Sequence, residues 1–255
     1  MNANPYDQSF YAINKVGSSR SAAGVVPLVV ELVSPRSVVD VGCGTGTWLA
    51  QFRQAGCQTL GFDGDYVDRA MLQIPRDEFI PKNLEQPVKV DRRFDLATCL
   101  EVAEHLTPER APGLVADLIA LSDCVLFSAA VVGQGGANHI NERPVSYWAA
   151  LFQERGYVGA DVIRPRIWDR DNVDWWYRQN MVIFAKEGHP ILKGAPPVTD
   201  LLHPGLHEDL YLRAFRPTLS RLLRAIPGSL MRSVRSRLLG KPSPTDVIYA
   251  GRNLN

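Results

Sequence analysis

Two carboxylates and an imidazole stand close together at Glu101, Glu104 and His105, and a second imidazole follows at His139. If the chain turns helically here, the spacing i, i+3 and i+4 puts all three donors on one face. That is a ligand set for a divalent cation, and mixed oxygen and nitrogen donors suit magnesium, manganese, iron or zinc without choosing among them. A bound cation would lower the pKa of a hydroxyl and orient two adjacent hydroxyls that chelate it. Without a metal, His105 or His139 serves as a general base, with Glu101 beside them. A third reading is structural: Glu104 and His105 cap the helix from Thr107 or pair with Arg110, and Glu101 lines a neighbouring pocket.

A second constellation lies upstream, where Ser37 to Val41 is β-branched and apolar and runs directly into Gly42, Gly44 and Gly46. Strand, glycine loop and helix together form a nucleotide-cofactor site, because glycines let the backbone come close to a ligand and the helix start offers N–H groups. A dinucleotide loop wants G-x-G-x-x-G, but Thr47 stands where its third glycine belongs. Asp40 ahead of the loop would repel a pyrophosphate and suits a ligand carrying an ammonium and a sulfonium. Asp63, at the end of the second strand, suits ribose hydroxyls in either case.

With these residues in view, the chain resembles the class I S-adenosylmethionine-dependent methyltransferases over roughly residues 18–186. VVDVGCGTG looks like their first motif, Phe62-Asp63-Gly64 like the ribose-binding acid, and Asn83-Leu84 like the segment lying against adenine, with asparagine where many members carry aspartate. FDLATCLEVAEHL, with Leu100, looks like their fourth strand and the residues after it. The resemblance implies Asp40, Gly42, Gly44, Gly46, Asp63, Gly64, Asn83, Leu84 and Leu100 as cofactor-binding residues. The E-V-x-E-H run with a later histidine is similar to two groups, the ubiquinone-biosynthesis O-methyltransferases and the small-RNA 2′-O-methyltransferases, where such residues hold a metal. Methyl transfer to a hydroxyl is therefore the expected reaction, with Glu101, Glu104, His105 and His139 as expected ligands or His105, His139 and Glu101 as catalytic groups. The expected acceptor is a small polyhydroxylated, phenolic or glycan-type molecule. The alternatives are an RNA 2′-hydroxyl and a non-catalytic cofactor-binding subunit that recruits a partner.

Positioning these residues requires an α/β fold. Strand patterns at residues 37–41, 58–62, 79–80, 94–100, 125–128, 157–163 and 179–185 alternate with helical ones, which predicts a Rossmann-like, doubly wound, seven-stranded and mostly parallel sheet with ligands at its C-terminal edge. The family resemblance makes the last strand antiparallel. A short helix is expected at 67–72, and one from Thr107-Pro108. Residues 1–20 read as an irregular or weakly helical lead-in or pocket lid, 21–188 as the cofactor-binding domain and 189–255 as a basic C-terminal extension. Between the last two strands lie Trp168, Trp175, Trp176 and Tyr177, which can stack on an acceptor or pack on the body. Asp169, Asp171 and Asp174 among them argue against a nucleic-acid acceptor.

The composition is that of an ordinary globular protein, with 45% hydrophobic and 22% charged residues in 255. No apolar run is long enough to span a bilayer, and the polar N-terminus does not read as a signal peptide, so a cytoplasmic location is expected. The four cysteines lack C-x-x-C spacing and read as buried free thiols. From Tyr211 to Lys241 there are eight basic residues and no acidic one, so the net charge of +1 leaves 1 − 8 = −7 on the rest. This basic tail is expected to be helical and to dock on its own acidic body or a second copy, to touch a membrane surface peripherally through 211–241, or, less in keeping with the acidic loop, to grip nucleic acid.

Overall fold

The structure is a computed structural model that describes residues 8–215. Contacts divide the chain into one unit, Met1–Leu206, and a second, His207–Asn255. Most of the basic tail, from residue 216, lies outside the described residues, as does the start of the lead-in. Among the described residues no helix is long and apolar enough to cross a membrane.

Helix α1 (Gln8–Val33) runs as one 26-residue helix, taking up the weakly helical alternative for the lead-in before residue 21 and not the irregular one. Pro27 lies inside it. The helix tolerates the missing N–H because Pro27 and Ala23, one turn earlier, both face solvent, where the freed carbonyl can be hydrated. Seven strands follow: β1 (Ser37–Val41), β2 (Gln58–Asp63), β3 (Phe79–Pro81), β4 (Leu96–Leu100), β5 (Cys124–Ser128), β6 (Tyr157–Ala160) and β7 (Val182–Lys186). Their order is β3-β2-β1-β4-β5-β7-β6. Pairings from β3 through β5 are parallel, and β7 inserts antiparallel between β5 and β6. The reversal of strand order between β1 and β4 opens the crevice in which such sheets bind ligands.

Side chains alternate across the sheet, so each strand supplies two cores. Val39, Val41, Ala97, Cys99, Val125, Phe127, Val182 and Phe184 pack against α3 (Ala111–Leu121) and α4 (Val145–Gln153), where Phe152 stacks on Phe184 with ring centroids 4.1 Å apart. On the opposite face Val38, Leu96, Leu100, Leu126 and Ile183 meet α1 and α2 (Thr47–Gln54) through Val25, Val29, Leu49 and Phe52. All four cysteines are buried and free.

Three local expectations change. The helix anticipated at 67–72 is a series of turns, with Gln73 N–H bonding the Thr45 carbonyl and so tying the segment to the glycine loop. Thr107 caps nothing: its N–H and hydroxyl both donate to Glu85, and Pro108–Arg110 forms a 3-10 turn before α3. The aromatic loop is two short helices, α5 (Arg164–Ile167) and α6 (Trp175–Asn180). The last described helix is α7 (Pro204–Phe215).

Candidate active site

The glycine loop leaves β1 with left-handed backbone at Gly42 (φ 92°), Gly44 (φ 54°) and Gly46 (φ 80°), which a side-chain-bearing residue adopts only under strain. At Gly42 space matters as well, since a Cβ there would lie 2.2 Å from Val102. The Asp63 carboxylate at the end of β2 ties the loop down, accepting the N–H of Gly44 at 2.6 Å, that of Gly64 at 2.6 Å and the Tyr66 hydroxyl at 2.7 Å. Burial pushes Asp63 above the usual carboxylate range, and those hydrogen bonds pull it back. Asp40 is 2% exposed and accepts the Thr98 hydroxyl at 2.7 Å. Burial pushes its pKa up to about 7, the Thr98 hydrogen bond opposes this, and the charge of Asp63 adds to it. Two buried carboxylates, the charge of Asp63 raising Asp40, suit a ligand bearing ammonium and sulfonium groups.

The segment expected against adenine splits in two. Leu84 is buried, and its carbonyl accepts from Arg110 Nε at 2.8 Å. Asn83 is exposed and folds into a local turn, its Oδ1 accepting the Glu85 N–H at 3.0 Å. Leu100, also buried, closes β4 on the α1/α2 side.

After β4 the chain departs from the expected helical turn. Glu101 has φ 54°, a left-handed conformation, and a 3-10 turn then runs over Ala103–His105. The three donors therefore do not share one face. The ligand atoms of Glu104, His105 and His139 lie within 4.8 Å of one another, and Glu101, expected as a fourth ligand, is outside that group. Its carboxylate turns instead to Asn180 (3.2 Å) and Gln134 (3.1 Å). Burial raises the Glu101 pKa against these hydrogen bonds.

Glu104 is fully buried, and neither of its carboxylate oxygens has a hydrogen-bond partner among the described residues. Burial drives its pKa well above the carboxylate range and the neighbouring Glu101 charge drives it further, while the backbone N–H groups of Glu104 and Ala130, near the carboxylate but outside hydrogen-bond geometry, oppose this only in part. Glu104 does not pair with Arg110, which pairs with Asp117 and bonds the Leu84 and Gln86 carbonyls instead. The imidazoles of His105 and His139 meet edge to face with centroids 4.9 Å apart. Burial, then the neighbouring His139, lowers His105 to about 4, so it is neutral at physiological pH, the form that ligates metals. The His139 loop reaches this point because the N–H groups of Ile140 and Asn141 both bond the Glu104 carbonyl. An orphaned buried carboxylate beside two imidazoles fits a divalent cation.

Sequence reasoning assigned no role to Thr98, Gln134, Glu142 or Asn180. For Glu142 a signal existed, its i, i+3 spacing from His139. For Asn180 and Gln134 none did, because only folding brings them to Glu101. The aromatic residues also divide: Trp48 and Tyr177 pack edge to face at 5.0 Å, and Trp168 lies against His203 at 4.7 Å.

Residues 19–127, from α1 to β5, match the family model described as a methyltransferase domain. Over that stretch, under half of its length, the chain resembles a methyltransferase domain, in keeping with the acids around the glycine loop. Among known proteins the chain is similar to the ubiquinone biosynthesis O-methyltransferases of Alkalilimnicola ehrlichii, 29% identical over 46% of this chain and 46% of that one, and of Stutzerimonas stutzeri, 27% identical over 50% and 52%. The chain spans about half the length of the curated relatives it matches. Among solved structures, the magnesium protoporphyrin IX methyltransferase of Synechocystis PCC 6803 with bound SAH aligns over 69% of this chain and 88% of that one, with 17% identity and a TM-score of 0.48.

Proposed function

We propose that the protein transfers the methyl group of S-adenosylmethionine to a hydroxyl of a small polyhydroxylated, phenolic or glycan-type acceptor, assisted by a divalent metal. The observation that carries this reading is Glu104: a buried carboxylate whose oxygens have no well-formed hydrogen bond among the described residues, one oxygen lying within 4.8 Å of the ligand nitrogens of His105 and His139. Such a group is costly unless something positive meets it.

Glu104, His105 and His139 would hold the metal. When bound, it supplies Lewis acidity that lowers the pKa of an acceptor hydroxyl. The protein's own residues do the rest. Asp40 and Asp63 neutralise and orient the cationic donor, and the glycine loop lets its backbone approach. Three side-chain ligands leave positions open for acceptor oxygens. Glu101, fixed by Asn180 and Gln134, places a second carboxyl beside Glu104, where it can hold the proton the hydroxyl gives up.

The test is transfer of labelled methyl from the cofactor into a cell extract, with and without chelator, followed by identification of the product. Label in small hydroxylated molecules, lost with chelator and restored by a divalent metal, supports the reading. Full transfer in excess chelator removes the metal, label in RNA replaces the acceptor class, and cofactor binding without transfer to any acceptor removes catalysis.

A further inference from the structure

His139 Nδ1 lies 2.8 Å from Glu142 Oε1, with the two side chains 12% and 18% exposed. The same carboxylate accepts the backbone N–H of Gly135 on Oε1 at 2.6 Å and that of Gly133 on Oε2 at 2.8 Å. Gly133 and Gly135 have left-handed backbone (φ 86° and 67°), which curls the loop around that carboxylate. Gly136 then passes so close to the ring that a Cβ on it would lie 2.2 Å from His139 Nε2. The imidazole is held at its Nδ1 corner by Glu142, against its ring by Gly136, and edge-on by His105.

A neutral imidazole carries its proton on one nitrogen and a lone pair on the other, and a carboxylate facing one nitrogen draws the proton there. A lone pair is what a metal or an incoming proton requires. We infer that Glu142 is the positioning residue of the site: it holds His139 as the Nδ1–H tautomer, so that Nε2 is the atom offered for ligation or proton transfer, and it closes the 133–142 loop through Gly133 and Gly135. This deepens the reading of His139 given above and rests on that reading for its use, though the tautomer itself is independent of any metal.

The deciding experiment is long-range ¹⁵N NMR on the full chain without metal, with H139Q identifying the His139 signals, followed by Mn²⁺ titration. The wild type is expected to show His139 protonated at Nδ1. Glu142→Gln keeps an oxygen for that N–H and loses only the Gly133 contact, so it keeps the tautomer. Glu142→Ala shifts it toward Nε2–H and weakens Mn²⁺ binding about 10–100-fold, a typical loss when a ligand's orienting partner is removed. Affinity for S-adenosylmethionine stays within about twofold in both. Protonation at Nε2 in the wild type overturns the inference, as does Glu142→Ala with wild-type tautomer and Mn²⁺ affinity. Should Glu142→Ala not fold, the wild-type tautomer and Glu142→Gln decide alone. A wild type that shows Nδ1–H yet binds no Mn²⁺ upholds the role of Glu142 and overturns the metal reading instead.

Discussion

Asp40 and Thr98 are register partners across the parallel β1–β4 pair, and the Thr98 hydroxyl donates to the Asp40 carboxylate at 2.7 Å. This pair sits where the strand order reverses, so the most buried acid of the cofactor crevice is held by the neighbouring strand and not by the loop it precedes.

The pH dependence of cofactor binding follows from it. Burial raises Asp40 to about 7, so the free protein favours its protonated form, and stability falls as pH climbs from the ordinary aspartate range through about 7. A cationic donor needs the carboxylate, so affinity moves the other way, rising about tenfold from pH 6 to pH 8 as Asp40 ionises. Thr98→Val removes the hydrogen bond that lowers the pKa and shifts the midpoint upward. Calorimetric titration across this range checks both; flat affinity would show that Asp40 does not face the cation.

Gly42 combines a φ of 92° with the close approach of Val102. Gly42→Ala should cost about 1–3 kcal/mol from backbone strain and a further share from the displaced Val102. Adding Val102→Ala should recover the steric share alone. Thermal unfolding of the two single variants and the double one separates the contributions, and a double variant no better than Gly42→Ala would refute the contact.

Arg110 and Asp117 form a buried ion pair, and Asp117 also accepts the Val88 N–H at 2.9 Å while Arg110 holds the Leu84 carbonyl. Asp117→Ala leaves Arg110 buried and unpaired, at about 3–5 kcal/mol, or roughly a 10 °C fall in Tm. Because Val88 loses its acceptor and the Arg110 that holds Leu84 loses its counter-ion, affinity for S-adenosylmethionine should fall as well. A large Tm loss with unchanged affinity would place this segment away from the cofactor.

Glu104→Gln replaces a buried carboxyl that burial and the Glu101 charge push toward its protonated form with a neutral amide. The metal-free protein should keep its stability within about 1 kcal/mol, while stabilisation by added Mn²⁺ disappears. Differential scanning with and without metal reads both effects. A larger loss of stability on substitution would mean that a partner satisfies Glu104.

The sheet, the glycine loop and the acids that flank it were legible from the order of residues. Those features rest on local rules: alternation along strands such as Val38–Val41, and the backbone freedom of Gly42, Gly44 and Gly46 beside Asp40. Matching of residues 19–127 to the methyltransferase domain rests on the same stretch. Which polar groups meet after β4 depends on the folded chain. One left-handed residue, Glu101, takes its carboxylate out of the helical spacing and hands it to Asn180 and Gln134, leaving Glu104 to face the imidazoles. Likewise Thr98 reaches Asp40 only through strand register, and Arg110 reaches Leu84 only through the packing of α3 on the sheet. Spacing along the chain cannot reveal these pairings, because a single φ angle or an inter-strand register redirects a side chain without changing the periodicity around it.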